Sequence, residues 1–128
     1  MVTLQGPKSV LTPQGLIKMN AQWSKWRRFP HPERRGLLVA PIGPGCYELR
    51  NGPQLVLCGK GEHVAFRMSS LLPAPFGCGT RNNAGKRAYV LDNLQEIEYR
   101  TLACATFEEA TACENELRRK RSMYLFST

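Results

Sequence analysis

Two residues stand where an amphipathic pattern would place something apolar. At about 100° per residue, Glu114 falls inside the stripe that Phe107, Ala110 and Leu117 define, whereas Glu108, Glu109 and Glu116 point away from it. A carboxylate aimed at a protein body needs a partner, a metal ion or a proton. Arg67 repeats the oddity at the margin of the face made by Val64, Met68 and Leu71, with His63 one turn before it. An arginine so placed can clamp a phosphate bidentately or neutralise charge developing in a transition state, and a carboxylate can hold a hard cation through oxygen. An ion pair between Arg67 and Glu114 is the plainer alternative, and it uses the same placement.

Other chemistries fit less well. Cys58 and His63 can be written as nucleophile and base, but no third group orients them. Gly79 to Lys86 is only superficially a phosphate loop: five residues separate Gly79 from Gly85, and Arg87 stands where serine or threonine is needed. The five cysteines, Cys46, Cys58, Cys78, Cys104 and Cys113, form no C-x-x-C pair, and only His31 and His63 could join them. A structural zinc site is therefore not expected, and Cys46, Cys58 and Cys104 read as reduced cysteines packing as small hydrophobes.

Local signals define the elements that must position these residues. Thr12-Pro13 is a helix start, and Leu16, Met19, Trp23 and Trp26 recur at helical spacing, which predicts a helix over about 13 to 28 before the proline-rich connector 29 to 36. Asn51-Gly52 between the runs Cys46 to Arg50 and Gln54 to Cys58 predicts a hairpin with a type I′ turn. That register pairs Tyr47 with Val56 and puts Tyr47 and Leu57 on opposite faces, unless Pro53 forces a bulge. Val64 to Leu72 follows as a helix, then a Gly-rich loop to Gly85, a short helix over Ala88 to Leu94, and a third strand over Ile97 to Cys104. Thr106 with Glu109 forms a capping box, opening a last helix that runs to about Arg121.

The 128 residues, 42% hydrophobic and 22% charged, fit one globular domain. No apolar run approaches the roughly 18 residues of a membrane span, and the N-terminus lacks the apolar core of a secretory signal, so a cytoplasmic protein with no membrane partner is expected. The net charge is +8, and residues 1 to 36 hold +6 of it, with Glu33 their single acid. A basic N-terminal arm and connector (1–36) thus precede a nearly balanced body (37–128). Such an excess favours polyanions through phosphate contacts. The candidate nucleic-acid contacts are Lys18, Lys25, Arg27 and Arg28 in the arm, with Arg81, Lys86 and Arg87 in and after the Gly-rich loop. The two tryptophans either pack on the body or stack on bases, and packing is preferred.

Gly45-Cys46-Tyr47, then Leu57-Cys58-Gly59, then Arg67 eight residues past that glycine, then Glu114 on a capped last helix follow one another in order. Over about residues 41 to 121 this set resembles the GIY-YIG nuclease domain. The resemblance implies an α/β fold of α+β type, a small three-stranded antiparallel sheet flanked by helices, here behind a basic N-terminal helical arm. It also implies a DNA endonuclease that hydrolyses phosphodiesters with Mg²⁺ or Mn²⁺. Tyr47 would help activate water, Arg67 would stabilise the phosphate, and Glu114 would bind the metal. Leu57 stands where the family has a second tyrosine, so Lys60 and His63 are the candidate substitutes in catalysis. The alternative is an inactive GIY-YIG-like module that binds nucleic acid or a protein partner. The sequence leaves the DNA form and the oligomeric state open.

Overall fold

Pro53 decides the hairpin. In this computed structural model, which describes residues 22–30, 38–72 and 84–126, Asn51 pairs with Gln54, so Gly52 and Pro53 occupy the turn centre. Gly52 has φ +58°, which glycine adopts freely, but the proline ring holds its own φ near −65°. A type I′ turn, with positive φ at both central residues, is thereby excluded. The expected register shifts with the turn, and a bulge between Leu49 and Arg50 shifts it again, so that Leu49 faces Leu57 and Tyr47 faces Gly59. Tyr47 and Leu57 therefore share one face, not opposite faces.

The hairpin strands are β2 (Gly45–Asn51) and β3 (Gln54–Gly61). With β1 (Arg27–Arg28) and β4 (Ile97–Ala103) they form one antiparallel sheet in the order β1-β4-β2-β3. The helices are α1 (Val64–Ser69), α2 (Ala84–Asp92) and α3 (Phe107–Arg118), and a 3₁₀ turn at Arg121–Met123 follows. The mixed α/β architecture agrees with expectation, with four strands where three were expected. α3 starts where the capping box puts it: Thr106 Oγ1 accepts from Glu109 N at 3.1 Å, and Glu109 Oε1 accepts from Ala105 N at 3.1 Å. It ends at Arg118, three residues earlier than expected. α2 starts four residues before, and ends two before, the helix expected over Ala88 to Leu94.

The fourth strand corrects the sequence reading of the arm. The expected helix does not extend through residues 22–28: residues 22–26 have no regular structure, and Arg27 and Arg28 pair with Tyr99 and Glu98. The part over 13–21 lies outside the described residues, as do 31–37 and 73–83. Trp23 and Trp26 have helical spacing for another reason. Both rings lie against the Arg100 guanidinium, at 4.5 and 4.7 Å, and Arg50 lies over Trp26 at 4.1 Å. Ser24 adds a main-chain bond to Thr101 O at 2.8 Å and accepts from Thr101 N at 3.0 Å. Phe29, almost wholly buried, stacks on Tyr99 at 4.9 Å.

Alternation along the strands gives the sheet two buried faces. Tyr47, Leu49, Leu57, Ile97 and Tyr99 pack with Val64 and Met68 of α1 and Val90 of α2. Cys46, Cys58 and Leu102 pack with Ala110, Cys113 and Leu117 of α3 and with Tyr124. These cysteines are free and serve as core residues. The second face also buries Glu48, fully enclosed on the inner strand β2. Its carboxylate accepts from Arg100 Nε at 2.8 Å and from the Tyr124 hydroxyl, and lies 3.3 Å from Lys120 Nζ. Beyond Tyr124 the chain runs along the β3 edge, with Leu125 N donating to Leu55 O at 3.0 Å and Phe126 N to Val56 O at 2.8 Å. No helix among the described residues is long and apolar enough to cross a membrane.

Candidate functional site

The uncovered end of β3 reads Gly59-Lys60-Gly61, and the site is built around it. Gly59 faces Tyr47, and a Cβ there would collide with the phenol. At Gly61 a Cβ would lie 3.2 Å from Arg67 Cβ, so this glycine admits the Arg67 stem. The glycines clear the α1 face for two functional side chains. Lys60, between them, points to the opposite face, where its Nζ donates to Thr111 Oγ1 at 3.0 Å and lies 3.8 Å from Glu114 Oε1. The edge strand thus lets groups from both faces meet in a cavity of about 530 Å³, lined by Tyr47, Lys60, His63, Arg67 and Glu114 among others.

The electrostatics separate these residues. Burial pushes the Tyr47 phenol above its ordinary pKa, and the adjacent Arg67 charge opposes this only in part. At neutral pH Tyr47 therefore keeps its proton and presents a hydroxyl. The Glu114 side chain is only 12% exposed, and its ion-pair partner among the described residues, Lys60, is beyond hydrogen-bond distance. The expected alternative, a direct Arg67–Glu114 ion pair, is not formed.

His63 is the N-cap of α1: its Nδ1 accepts from Phe66 N at 3.0 Å. In the neutral ring, Nε2 then carries the proton, so neither nitrogen offers a free lone pair for general-base work. Capping by a histidine nitrogen has no sequence signature comparable to Thr106 and Glu109. Cys58 is buried, and burial pushes its thiol up to about 11, which leaves no thiolate for a Cys58–His63 nucleophile pair. Leu57, at the place of the family's second tyrosine, is buried in the core and does not line the cavity.

The candidate nucleic-acid contacts are dispersed. Lys86 lines the cavity. Arg87 turns inward, its Nη2 donating to Leu72 O at 2.9 Å. Lys25 and Arg28 are exposed, Arg27 is partly buried, and Lys18 and Arg81 lie outside the described residues. Glu48 is the residue that sequence reasoning missed. Its signal was an acid between Tyr47 and Leu49 in the apolar half of the strand, Gly45 to Leu49.

Metal fit rests on Glu114, with the exposed Glu62 as the cavity's other carboxylate. No group of three or more histidine, cysteine, aspartate or glutamate side chains that could hold a metal ion occurs among the described residues. Magnesium often keeps most of its water shell and takes only one or two carboxylates from protein, so Glu114 on an open cavity that Glu62 also lines suits it, and a dehydrated structural metal would not fit.

The strand order, the hairpin and the helices on both faces define a GIY-YIG-like fold. A solved structure of similar fold is the GIY-YIG N-terminal endonuclease domain of UvrC from Thermotoga maritima, described as bound to its catalytic divalent cation, magnesium. The two are 24% identical with a TM-score of 0.52, over 70% of this chain and 89% of that chain. No family model matches the sequence, and no curated protein matches it.

Proposed function

We propose that the chain is a metal-dependent phosphodiesterase that cleaves DNA. The observation that carries this reading is the convergence of Tyr47, Lys60, Arg67 and Glu114 on one cavity at the Gly59–Gly61 edge. Arg67 binds the scissile phosphate through its guanidinium and stabilises the charge that builds on its oxygens. Tyr47, a neutral phenol beside Arg67, orients the attacking water. Glu114 would hold Mg²⁺ or Mn²⁺, which when bound supplies Lewis-acid stabilisation of the leaving oxygen. Lys60 balances the Glu114 charge from 3.8 Å and brings a cation to the approaching phosphate. Lys25, Arg28 and the remaining basic residues of the N-terminal segment contribute affinity through the DNA backbone. The similarity of the fold to a magnesium-bound endonuclease domain supports the same reading.

The burial of Leu57 favours a second reading, a module that binds nucleic acid without cutting it. Incubation with supercoiled, branched and single-stranded DNA, with and without Mg²⁺ or Mn²⁺, separates the two. Under the first reading at least one form is cut only when metal is present. Arg67→Ala then lowers the rate roughly 100-fold or more, with binding retained to within a few-fold. DNA that is bound but left intact by the wild type under every condition establishes the second reading.

A further inference from the structure

Phe66 is 75% exposed, although the residues two positions to either side on α1, Val64 and Met68, are fully buried. The core makes no use of its ring. The neighbouring His63 ring meets it edge-on, with centroids 6.1 Å apart and planes at 74°, and the same histidine caps the Phe66 amide. The ring lines the cavity, one residue from Arg67. On the facing element Phe107, 36% exposed, also lines the cavity, and Lys60 Nζ lies 5.1 Å from its ring centroid. Lys86 adds a further cation to the lining. The cavity therefore combines cationic groups with an aromatic face offered to solvent.

From this we infer that Phe66 is a stacking platform for an unpaired nucleobase beside the phosphate held by Arg67, so that the preferred substrate has single-stranded character at the cleavage point. The inference rests on the phosphodiesterase reading and specifies its substrate class. A phosphate is matched by the guanidinium and ammonium groups, and the planar π-face attached to it through the sugar is matched by an aromatic ring. In a paired duplex both faces of each internal base are already stacked on neighbours, so a ring beside the backbone gains nothing from it. A single strand, flap or branch point leaves bases free to stack on protein aromatics. The exposure of Phe66 then has a functional reason, since the buried core does not include its ring.

The test is binding to end-labelled oligonucleotides by fluorescence anisotropy in chelator-containing buffer, so that cleavage does not intervene. A single strand and the blunt duplex of the same sequence are compared for the wild type, Phe66→Ala and Phe66→Trp. The single strand is expected to bind the wild type more tightly than the duplex does. Phe66→Ala should lose roughly 5- to 100-fold on the single strand and less than twofold on the duplex, and Phe66→Trp should restore the single-strand affinity. Unchanged thermal unfolding of Phe66→Ala shows that the fold is intact. Equal losses on both DNAs, no loss on either, or failure of tryptophan to rescue overturns the stacking role, and the phosphodiesterase reading survives if metal-dependent cleavage persists. Absence of both binding and cleavage for every DNA form removes the phosphodiesterase reading and the inference with it, and leaves the aromatic mouth to a protein partner.

Discussion

Glu114→Gln is expected to reduce metal-dependent cleavage roughly 100- to 1000-fold, the range seen when one electrostatic stabiliser of a transition state is removed. Glutamine keeps the shape of the side chain and removes its charge. A neutral amide oxygen is a poor ligand for a hard divalent cation, and no group of three or more metal-binding side chains among the described residues stands by to replace it. The fold should hardly notice. The ion-pair partner of Glu114 among the described residues, Lys60, is 3.8 Å away and keeps its hydrogen bond to Thr111. Single-turnover cleavage measures the kinetic loss, and calorimetric titration with Mn²⁺ measures the cation site. A wild-type titration without a site, or a site that survives Glu114→Gln, would remove Glu114 from the metal chemistry.

The largest effect on stability is expected at Glu48. Glu48→Ala leaves Arg100, Lys120 and the Tyr124 hydroxyl facing a void where a fully buried carboxylate satisfied them. Removal of one member of a buried charge network destabilises by about 3–5 kcal/mol. The same group gives stability a pH dependence of definite sign. Burial pushes the Glu48 carboxyl up, but hydrogen bonds from Tyr124 and Arg100 and the charges of Arg100 and Lys120 outweigh it, so its folded pKa lies below the ordinary value of 4.5. The ionised carboxylate therefore stabilises the fold fully above that value, and this contribution is lost as pH falls through the lower folded pKa. Urea unfolding at pH 7 and near pH 3 should show the gap between wild type and Glu48→Ala narrowing in acid. A gap independent of pH would assign the loss to packing alone.

The parts of the site that were legible in the sequence are those set by local signals. Thr106 and Glu109 fix where α3 begins, and hence which way Glu114 faces. The glycines around Lys60 mark the end of β3, and Arg67 follows at a fixed distance on the next helix. What was not legible depended on partners remote in sequence or on one residue's veto. Pro53 moved the turn by one residue and, with the bulge at Leu49, brought Leu57 to the Tyr47 face. Trp23 and Trp26 mimicked a helix because both have to reach the same guanidinium, that of Arg100. His63 offered an imidazole to chemistry in the sequence, whereas its Nδ1 is committed to the Phe66 amide.

Glu48 also has a consequence for the order in which the chain can close. Its partners lie 52 residues away at Arg100 and 76 away at Tyr124. The β2–β3 hairpin can turn at Gly52 early, because its contacts are local, but contacts of such separation come late. Until they arrive, the Glu48 side of the hairpin has to remain hydrated, since an unpaired carboxylate is not buried without a large penalty. No charge restrains the other side, where Tyr47 and Leu49 meet Val64 and Met68 within a short loop of chain. The two surfaces of one sheet therefore dry at different stages of folding. Pulse-labelled hydrogen exchange during refolding should protect the amides of α1 before those of α3, and simultaneous protection would mean that the carboxylate sets no order.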